Sequence, residues 1–262
     1  MKAALVQLSV REGESAENRF QRVQSLLSRF LESGKSCDLM LLPELWRVGF
    51  SHFEQYSKLG EPRKGGTVRT FSRWAQRLHC TMVPGSFLEK RPDGALCNMT
   101  PLLAPDGDLL AEYRKIHLFG YESREKDLLT AGQQIAVEQT PLGCIGLATC
   151  YDLRFPEQFR AMVDQGAEMF CVVAAWPRQR MSDWRSFCRV RAMENQCFLF
   201  GCNHAGTHAE VTGAGHSMVV APDGTILAEA GEDEEILLAE FDPAEVQRAR
   251  ERFPALHDRV LI

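Results

Sequence analysis

Residues 143–158 read Gly-Cys-Ile-Gly-Leu-Ala-Thr-Cys-Tyr-Asp-Leu-Arg-Phe-Pro-Glu-Gln, and this stretch decides the fold class. The apolar run Cys144–Thr149 has the length and composition of a buried strand, and it ends at Cys150. Pro156 can open a helix, because its missing N–H is one that the first turn leaves unbonded in any case. A strand passing directly into a helix is the unit of a layered α/β protein. A cysteine at that junction faces a cleft and lies close to free backbone N–H groups. Access and oxyanion donors are the two things a nucleophile requires. The competing reading is a buried structural thiol, the ordinary fate of cysteine.

The rest of the chain extends the same alternation. Residues 2–8 have strand character, and Ser15 caps a helix whose apolar face is Phe20, Val23, Leu27, Phe30 and Leu31. Leu39–Leu42 is a short, fully apolar run that stops at Pro43-Glu44. Val68, Phe71, Trp74, Ala75 and Leu78 share one face of a helix over 68–79. Strands are expected at 81–88, 95–103, 108–114, 143–149, 168–174, 197–202, 216–221, 225–230 and 235–241, with helices near 156–165, 182–196 and 243–251. Pro-Asp-Gly occurs at 92–94, 105–107 and 222–224, each time between apolar runs. Proline presets the first central turn dihedral and glycine accepts positive φ, so each triplet reads as a hairpin turn. Hairpins put antiparallel pairs in the sheets and favour a layered α/β sandwich over a parallel barrel. No repeat, low-complexity tract or linker interrupts the pattern, so residues 1–262 are expected to form one domain.

Composition narrows the function classes. The 262 residues are 45% hydrophobic, which excludes intrinsic disorder, and 30 basic against 35 acidic residues leave a net charge of −5. That balance argues against nucleic acid or an anionic membrane as partner. The N-terminal apolar run is too short for a signal peptide, and no stretch of about 18 apolar residues is present to span a bilayer. A cytoplasmic location is therefore expected, and its reducing conditions leave the nine cysteines unpaired. No Cys-x-x-Cys pair suggests zinc.

Two further strand ends carry candidate chemistry. Glu44 follows the buried run Leu39–Leu42, where desolvation would raise its pKa towards that of a useful general base; a helix N-terminal charge is the commoner reading. Lys115 follows the strand 108–113 in apolar surroundings, against the default of a surface lysine. Taken in order, PELW (43–46), YRKIHLF (113–119) and CYDLRFPE (150–157) resemble the nitrilase superfamily of carbon–nitrogen hydrolases. The likeness runs nearly end to end, through RAMENQ (191–196) and GHSMVVAPDG (215–224), and the CYDxRF form is most similar to the omega-amidase group. The resemblance implies a four-layer αββα sandwich, a homodimer or higher homo-oligomer, and Glu44, Lys115 and Cys150 as general base, electrostatic stabiliser and nucleophile. It also implies a second glutamate in the loop GYESREKDLLTAG (120–132), where Glu122 and Glu125 both qualify. Counted back from Ala131-Gly132, Glu125 stands at the better-matching distance.

These residue types suit amide hydrolysis, which needs a strong nucleophile, an oxyanion site and a proton donor. Lys115 would favour the Cys150 thiolate and later pair with the oxyanion, with the Tyr151 backbone N–H as second donor. Glu44 would take the thiol proton and pass it to the leaving nitrogen. No metal or organic cofactor is required. Arg154, four residues after Cys150, either forms a structural salt bridge or receives a substrate carboxylate; Trp176 either walls the same pocket or packs in the core. His204, His208 and His216 invite a metal reading, but the glycines between them mark a loop that does not align the rings. Gly-Ala-Gly at 213–215 lacks the third glycine of a dinucleotide fingerprint. The expected activity is that of a thiol amidase on a small linear amide, most specifically an omega-amidase on dicarboxylic or 2-oxo acid monoamides. An N-carbamoyl-amino-acid or deaminated-glutathione type of amidase is the alternative; a nitrilase fits the cysteine context less well, and the intact Glu44, Lys115 and Cys150 argue against a non-catalytic scaffold.

Overall fold

In the computed structural model, which describes residues 1–208 and 210–260, sixteen strands are arranged in two large sheets and a small hairpin. The first sheet starts with β1 (Lys2–Ser9), β2 (Leu39–Leu41), β3 (Thr81–Val83), β4 (Phe87–Lys90), β5 (Leu96–Leu103) and β6 (Leu109–Arg114). The second sheet takes β7 (Ala136–Thr140), β8 (Gly143–Thr149), β9 (Met169–Val173) and β10 (Phe198–Cys202). The chain then returns to the first sheet with β11 (His204–Ala205) and forms the hairpin β12 (Thr207–His208) and β13 (Val211–Thr212). Next, β14 (Met218–Val220) and β15 (Ile226–Glu229) join the second sheet, and β16 (Glu235–Glu240) completes the first.

Central strands run parallel, β1 with β2 and β2 with β3 in one sheet, β8 with β9 and β9 with β10 in the other. Their side chains alternate between two cores, as the period of two requires. Ala3, Leu5, Leu39 and Leu41 point at Ile145, Leu147, Cys171, Val173 and Phe200 across the space between the sheets. The alternate residues Ala4, Val6, Met40 and Leu42 pack under the helices Ala16–Glu32 and Gly66–Leu78. On the far side, Ala148, Phe170, Val172 and Leu199 pack under Pro156–Asp164 and Met181–Asn195. The result is the expected αββα order of four layers, and burial on both faces explains why these strands read as continuous apolar runs. Ser15 caps the first helix by accepting the Asn18 N–H at 3.1 Å, and Pro156 occupies the first turn of its helix. No described helix is long and apolar enough to cross a membrane.

The three Pro-Asp-Gly triplets connect β4 to β5, β5 to β6 and β14 to β15, all antiparallel pairs. One expected strand is two: 81–88 breaks between β3 and β4 at Pro84-Gly85-Ser86. Gly85 has φ +76°, and a Cβ there would lie 2.1 Å from the Pro43 carbonyl oxygen. That close approach bends the chain around the Pro43-Glu44 segment. Strand β7 and the single turn Glu125–Leu128 escaped the sequence reading, since neither carries a clear apolar period. The 204–216 stretch, expected as loop, contains β11 to β13 as two-residue strands.

Candidate active site

Strand ends from both sheets converge on one pocket. Beyond β2 the chain presents Glu44, beyond β6 Lys115, beyond β8 Cys150, and beyond β9 Ala174 to Trp176. The Glu44 segment is clamped by the β3–β4 bend: Leu45 N–H donates to Ser86 Oγ at 3.0 Å, and Trp46 Nε1 donates to the Pro84 carbonyl at 2.8 Å. Leu45 itself sits at φ +43°. Such conformations cost of order 1–3 kcal/mol in a non-glycine residue and persist where neighbours over-determine them.

Lys115 is the hub. Its Nζ donates to Glu44 Oε1 at 2.9 Å and to Glu125 Oε1 and Oε2 at 3.0 and 2.9 Å, with all three side chains buried. Asn98, on β5, ties the same carboxylates together: its Nδ2 donates to Glu44 Oε1 at 2.8 Å and to Glu125 Oε1 at 3.2 Å. The second oxygens are engaged by backbone, Glu44 Oε2 by Ala175 N–H at 3.0 Å and Glu125 Oε2 by Phe119 N–H at 2.7 Å. Burial works against the charge on Lys115, but Glu125 and Glu44 more than offset it, and its pKa stands well above the ordinary lysine value. Burial raises the pKa of Glu125, with the Glu44 charge acting the same way and Lys115 opposing both.

Cys150 adopts φ +48° at the start of a 3-10 turn that runs to Arg154. The first N–H groups of that turn, Tyr151 among them, precede the point where its own hydrogen bonds begin. Burial drives the Cys150 pKa well above that of a free thiol, Glu44 adds to the effect, and Lys115 only partly counters it. Lys115 thus favours the Cys150 thiolate, as expected, but burial and the neighbouring carboxylate outweigh it.

Asp152 secures this turn to the lysine segment. Its Oδ2 accepts from Tyr113 OH at 2.6 Å and Thr149 N–H at 2.8 Å, while Oδ1 accepts from His117 N–H at 3.2 Å and contacts His117 Nδ1 at 2.8 Å. Thr149 immediately precedes Cys150, and His117 is two residues beyond Lys115, so one buried carboxylate sets both.

The pocket above Cys150 has a volume of about 430 Å³ and is walled by Phe50, Phe119, Tyr151, Trp176 and Arg180 among others. Of the two candidate glutamates, Glu125 reaches Lys115, whereas Glu122 lines the pocket at its exposed rim with φ +50°. Arg154 lines the pocket with its Nη2 donating to Asp183 at 2.7 Å, so the salt-bridge reading holds for that nitrogen. Trp176 serves both expected ends, since it is 3% exposed yet faces the pocket, its Nε1 donating to the Arg180 carbonyl at 2.7 Å.

The histidines point elsewhere. His204 Nε2 donates to the Glu44 carbonyl at 2.5 Å, His208 meets His52 at 3.1 Å, and His216 meets Glu229 at 2.8 Å. Among the described residues no group of three or more His, Cys, Asp or Glu side chains is placed to hold a metal. Asn98, Asp152 and Arg180 escaped the sequence reading. An asparagine inside the apolar run LCNMTPLL was the available signal for Asn98, and the aspartate of the CYDxRF motif that for Asp152; Arg180 carries no mark in the sequence.

The carbon-nitrogen hydrolase family model matches residues 2–251. A 2-oxoglutaramate amidase of Paenarthrobacter nicotinovorans is 35% identical over 98% of this chain and 88% of its own length. A deaminated glutathione amidase of Synechocystis is 34% identical over 75% of this chain and 76% of its own length. The crystal structure of a Saccharomyces cerevisiae protein from branch 10 of the nitrilase superfamily superposes with a TM-score of 0.89 at 30% identity, covering 100% of this chain and 97% of that one.

Proposed function

The chain belongs to the carbon–nitrogen hydrolase family as a cysteine-dependent amidase, and we propose that Cys150, Glu44 and Lys115 carry its reaction on the monoamides of dicarboxylic acids. The observation that supports this most directly is the Lys115 ammonium, held 2.9–3.0 Å from Glu44 and Glu125 beneath a pocket into which Cys150 opens. A buried cation so placed is an electrostatic partner for negative charge that develops beside it.

In this mechanism Glu44 removes the Cys150 proton as sulfur attacks the amide carbon. Burial and the Glu44 charge raise the thiol pKa, so the attack needs a base beside the sulfur. Negative charge collects on the carbonyl oxygen, facing Lys115 and the free N–H groups at the head of the 3-10 turn. The C–N bond then breaks as Glu44 returns the proton to nitrogen, releasing ammonia and leaving a thioester. Glu44 next deprotonates water, which attacks the thioester; sulfur leaves and regains its proton, so amide plus water yields acid plus ammonia. Glu125 and Asn98 hold the lysine and the base in register throughout.

The dicarboxylate preference draws on the arginines in the pocket wall and on the likeness to a 2-oxoglutaramate amidase. The likeness to a deaminated glutathione amidase supports a second reading, a larger peptide-like amide. Ammonia release from succinamate, 2-oxoglutaramate, peptide-like amides, carbamoyl amino acids and nitriles separates them, with Cys150→Ala as control. Release from the two monoamides above the others, abolished in Cys150→Ala, is expected. Undiminished release by that variant would refute the covalent mechanism.

A further inference from the structure

From the pocket wall we infer that Arg180 is the residue that selects an anionic substrate, receiving the carboxylate at the end remote from the scissile amide. The inference rests on the monoamide reading and assigns its specificity to one side chain. Two guanidinium groups line the pocket with Cys150, and they differ in what they are free to do. Arg154 donates to Asp183 at 2.7 Å and lies against the Trp176 and Phe187 rings, 5.2 and 5.1 Å from their centroids. Its charge is countered and its plane is fixed.

Arg180 has no acidic partner and no side-chain hydrogen bond among the described residues. Its guanidinium is held only by ring faces, 5.6 Å from the Phe119 centroid and 5.5 Å from that of Tyr121. Contact through the faces orients a guanidinium while leaving its in-plane N–H donors unused. Those donors form the fork that matches a carboxylate. The backbone here is anchored, because the Arg180 carbonyl accepts the Trp176 indole N–H and the Arg180 N–H donates to the Pro177 carbonyl at 3.0 Å. Phe119 is anchored in turn through its own N–H to Glu125. The same carboxylate that braces Lys115 thus sets one of the rings that aim Arg180. A preorganised cation without a counter-charge, in the pocket that contains the nucleophile, is complementary to a substrate that brings the missing charge.

The test compares succinamate with butyramide, which has a methyl group where succinamate has its carboxylate, on the wild-type chain, Arg180→Gln, Arg180→Lys and Arg154→Gln. Wild type is expected to favour succinamate. Arg180→Gln should lower kcat/KM for succinamate roughly 10- to 100-fold, the range of a lost charge-assisted hydrogen bond, with most of the change in KM. Butyramide turnover should fall by a clearly smaller factor than succinamate turnover, and Arg180→Lys should retain part of the preference. If wild type prefers succinamate and Arg180→Gln keeps that preference, the assignment to Arg180 is wrong while the monoamide reading stands; loss of preference in Arg154→Gln alone would move the role there. Equal loss on both amides in Arg180→Gln would also overturn it, showing that the side chain only shapes the pocket. A wild type indifferent to the carboxylate would overturn both readings.

Discussion

Replacing Asp152 with asparagine tests whether the site depends on one carboxylate that touches no substrate. The aspartate is fully buried and receives four contacts, from Tyr113 OH, Thr149 N–H, His117 N–H and His117 Nδ1. Tyr113 OH already accepts from Gln158 Nε2 at 3.0 Å and Ile116 N–H at 3.0 Å, so its own proton is committed to Asp152. An asparagine keeps one acceptor oxygen. In either amide orientation its NH₂ group faces at least one backbone N–H, Thr149 in one case and His117 in the other. At least one buried donor then loses a charged acceptor, a cost of about 1.5–3 kcal/mol. The neutral amide also weakens the bonds that survive, which brings the expected loss to about 3 kcal/mol.

For a chain of this length each kcal/mol lowers Tm by about 2–4 °C, so Asp152→Asn should melt roughly 6–12 °C below wild type. Activity should fall further than stability alone requires. Thr149 and His117 flank Cys150 and Lys115, and a displacement of about 1 Å in a reacting group can cost on the order of 100-fold in rate. Thermal unfolding followed by circular dichroism gives the first quantity, and kcat for ammonia release measured well below the transition gives the second. A variant within about 2 °C of wild type with unchanged kcat would show that the turn and the lysine segment are held by other contacts, and would refute the reasoning.

Further outcomes follow from neighbouring groups. Lys115→Met leaves Glu44 and Glu125 buried without a cation and should cost about 3–5 kcal/mol in urea unfolding, whereas Lys115→Met with Glu125→Gln should recover part of that loss; a double variant as unstable as the single one would contradict the carboxylate repulsion. Burial holds the His204 pKa down at about 4 against an ordinary 6.5. The unfolded chain therefore binds the proton first, so this contribution is complete above pH 6.5 and is lost as pH falls towards 4, worth about 3 kcal/mol. His204→Gln should flatten the acid side of the stability profile over that interval, and an unchanged slope would count against it. Gly85→Ala would bring a methyl group within 2.1 Å of the Pro43 carbonyl at positive φ, and should lower both Tm and kcat by shifting Glu44; retention of both would mean that the β3–β4 bend is not what positions the base.

The layers were legible because burial on both faces of a strand leaves an unbroken apolar run, as in Ala3–Val6 and Met169–Val173, and because Pro-Asp-Gly imposes its turn through local dihedral preferences. Strand β7 was not, since Ala136–Thr140 lies at the sheet edge and its partial burial erases the period. The site divides along the same line. Glu44, Lys115 and Cys150 stand out as reactive types at the ends of apolar runs, a local property. What each one touches is set by pairing between distant segments. Asn98 reaches Glu44 across 54 residues, and it meets Lys115 because β5 pairs with β6 and the Lys115 N–H donates to the Asn98 carbonyl at 2.9 Å. The choice between Glu122 and Glu125 turns on one backbone conformation. Glu122 takes φ +50° at the rim, and Glu125 starts the turn Glu125–Leu128 with its side chain directed inward. Two carboxylates three residues apart differ little in sequence, yet one is buried against an ammonium and the other faces water. The distinction between Arg154 and Arg180 has the same origin. Both are arginines near the nucleophile, and only the position of Asp183 on the neighbouring helix determines that one is already paired while the other can still bind an anion.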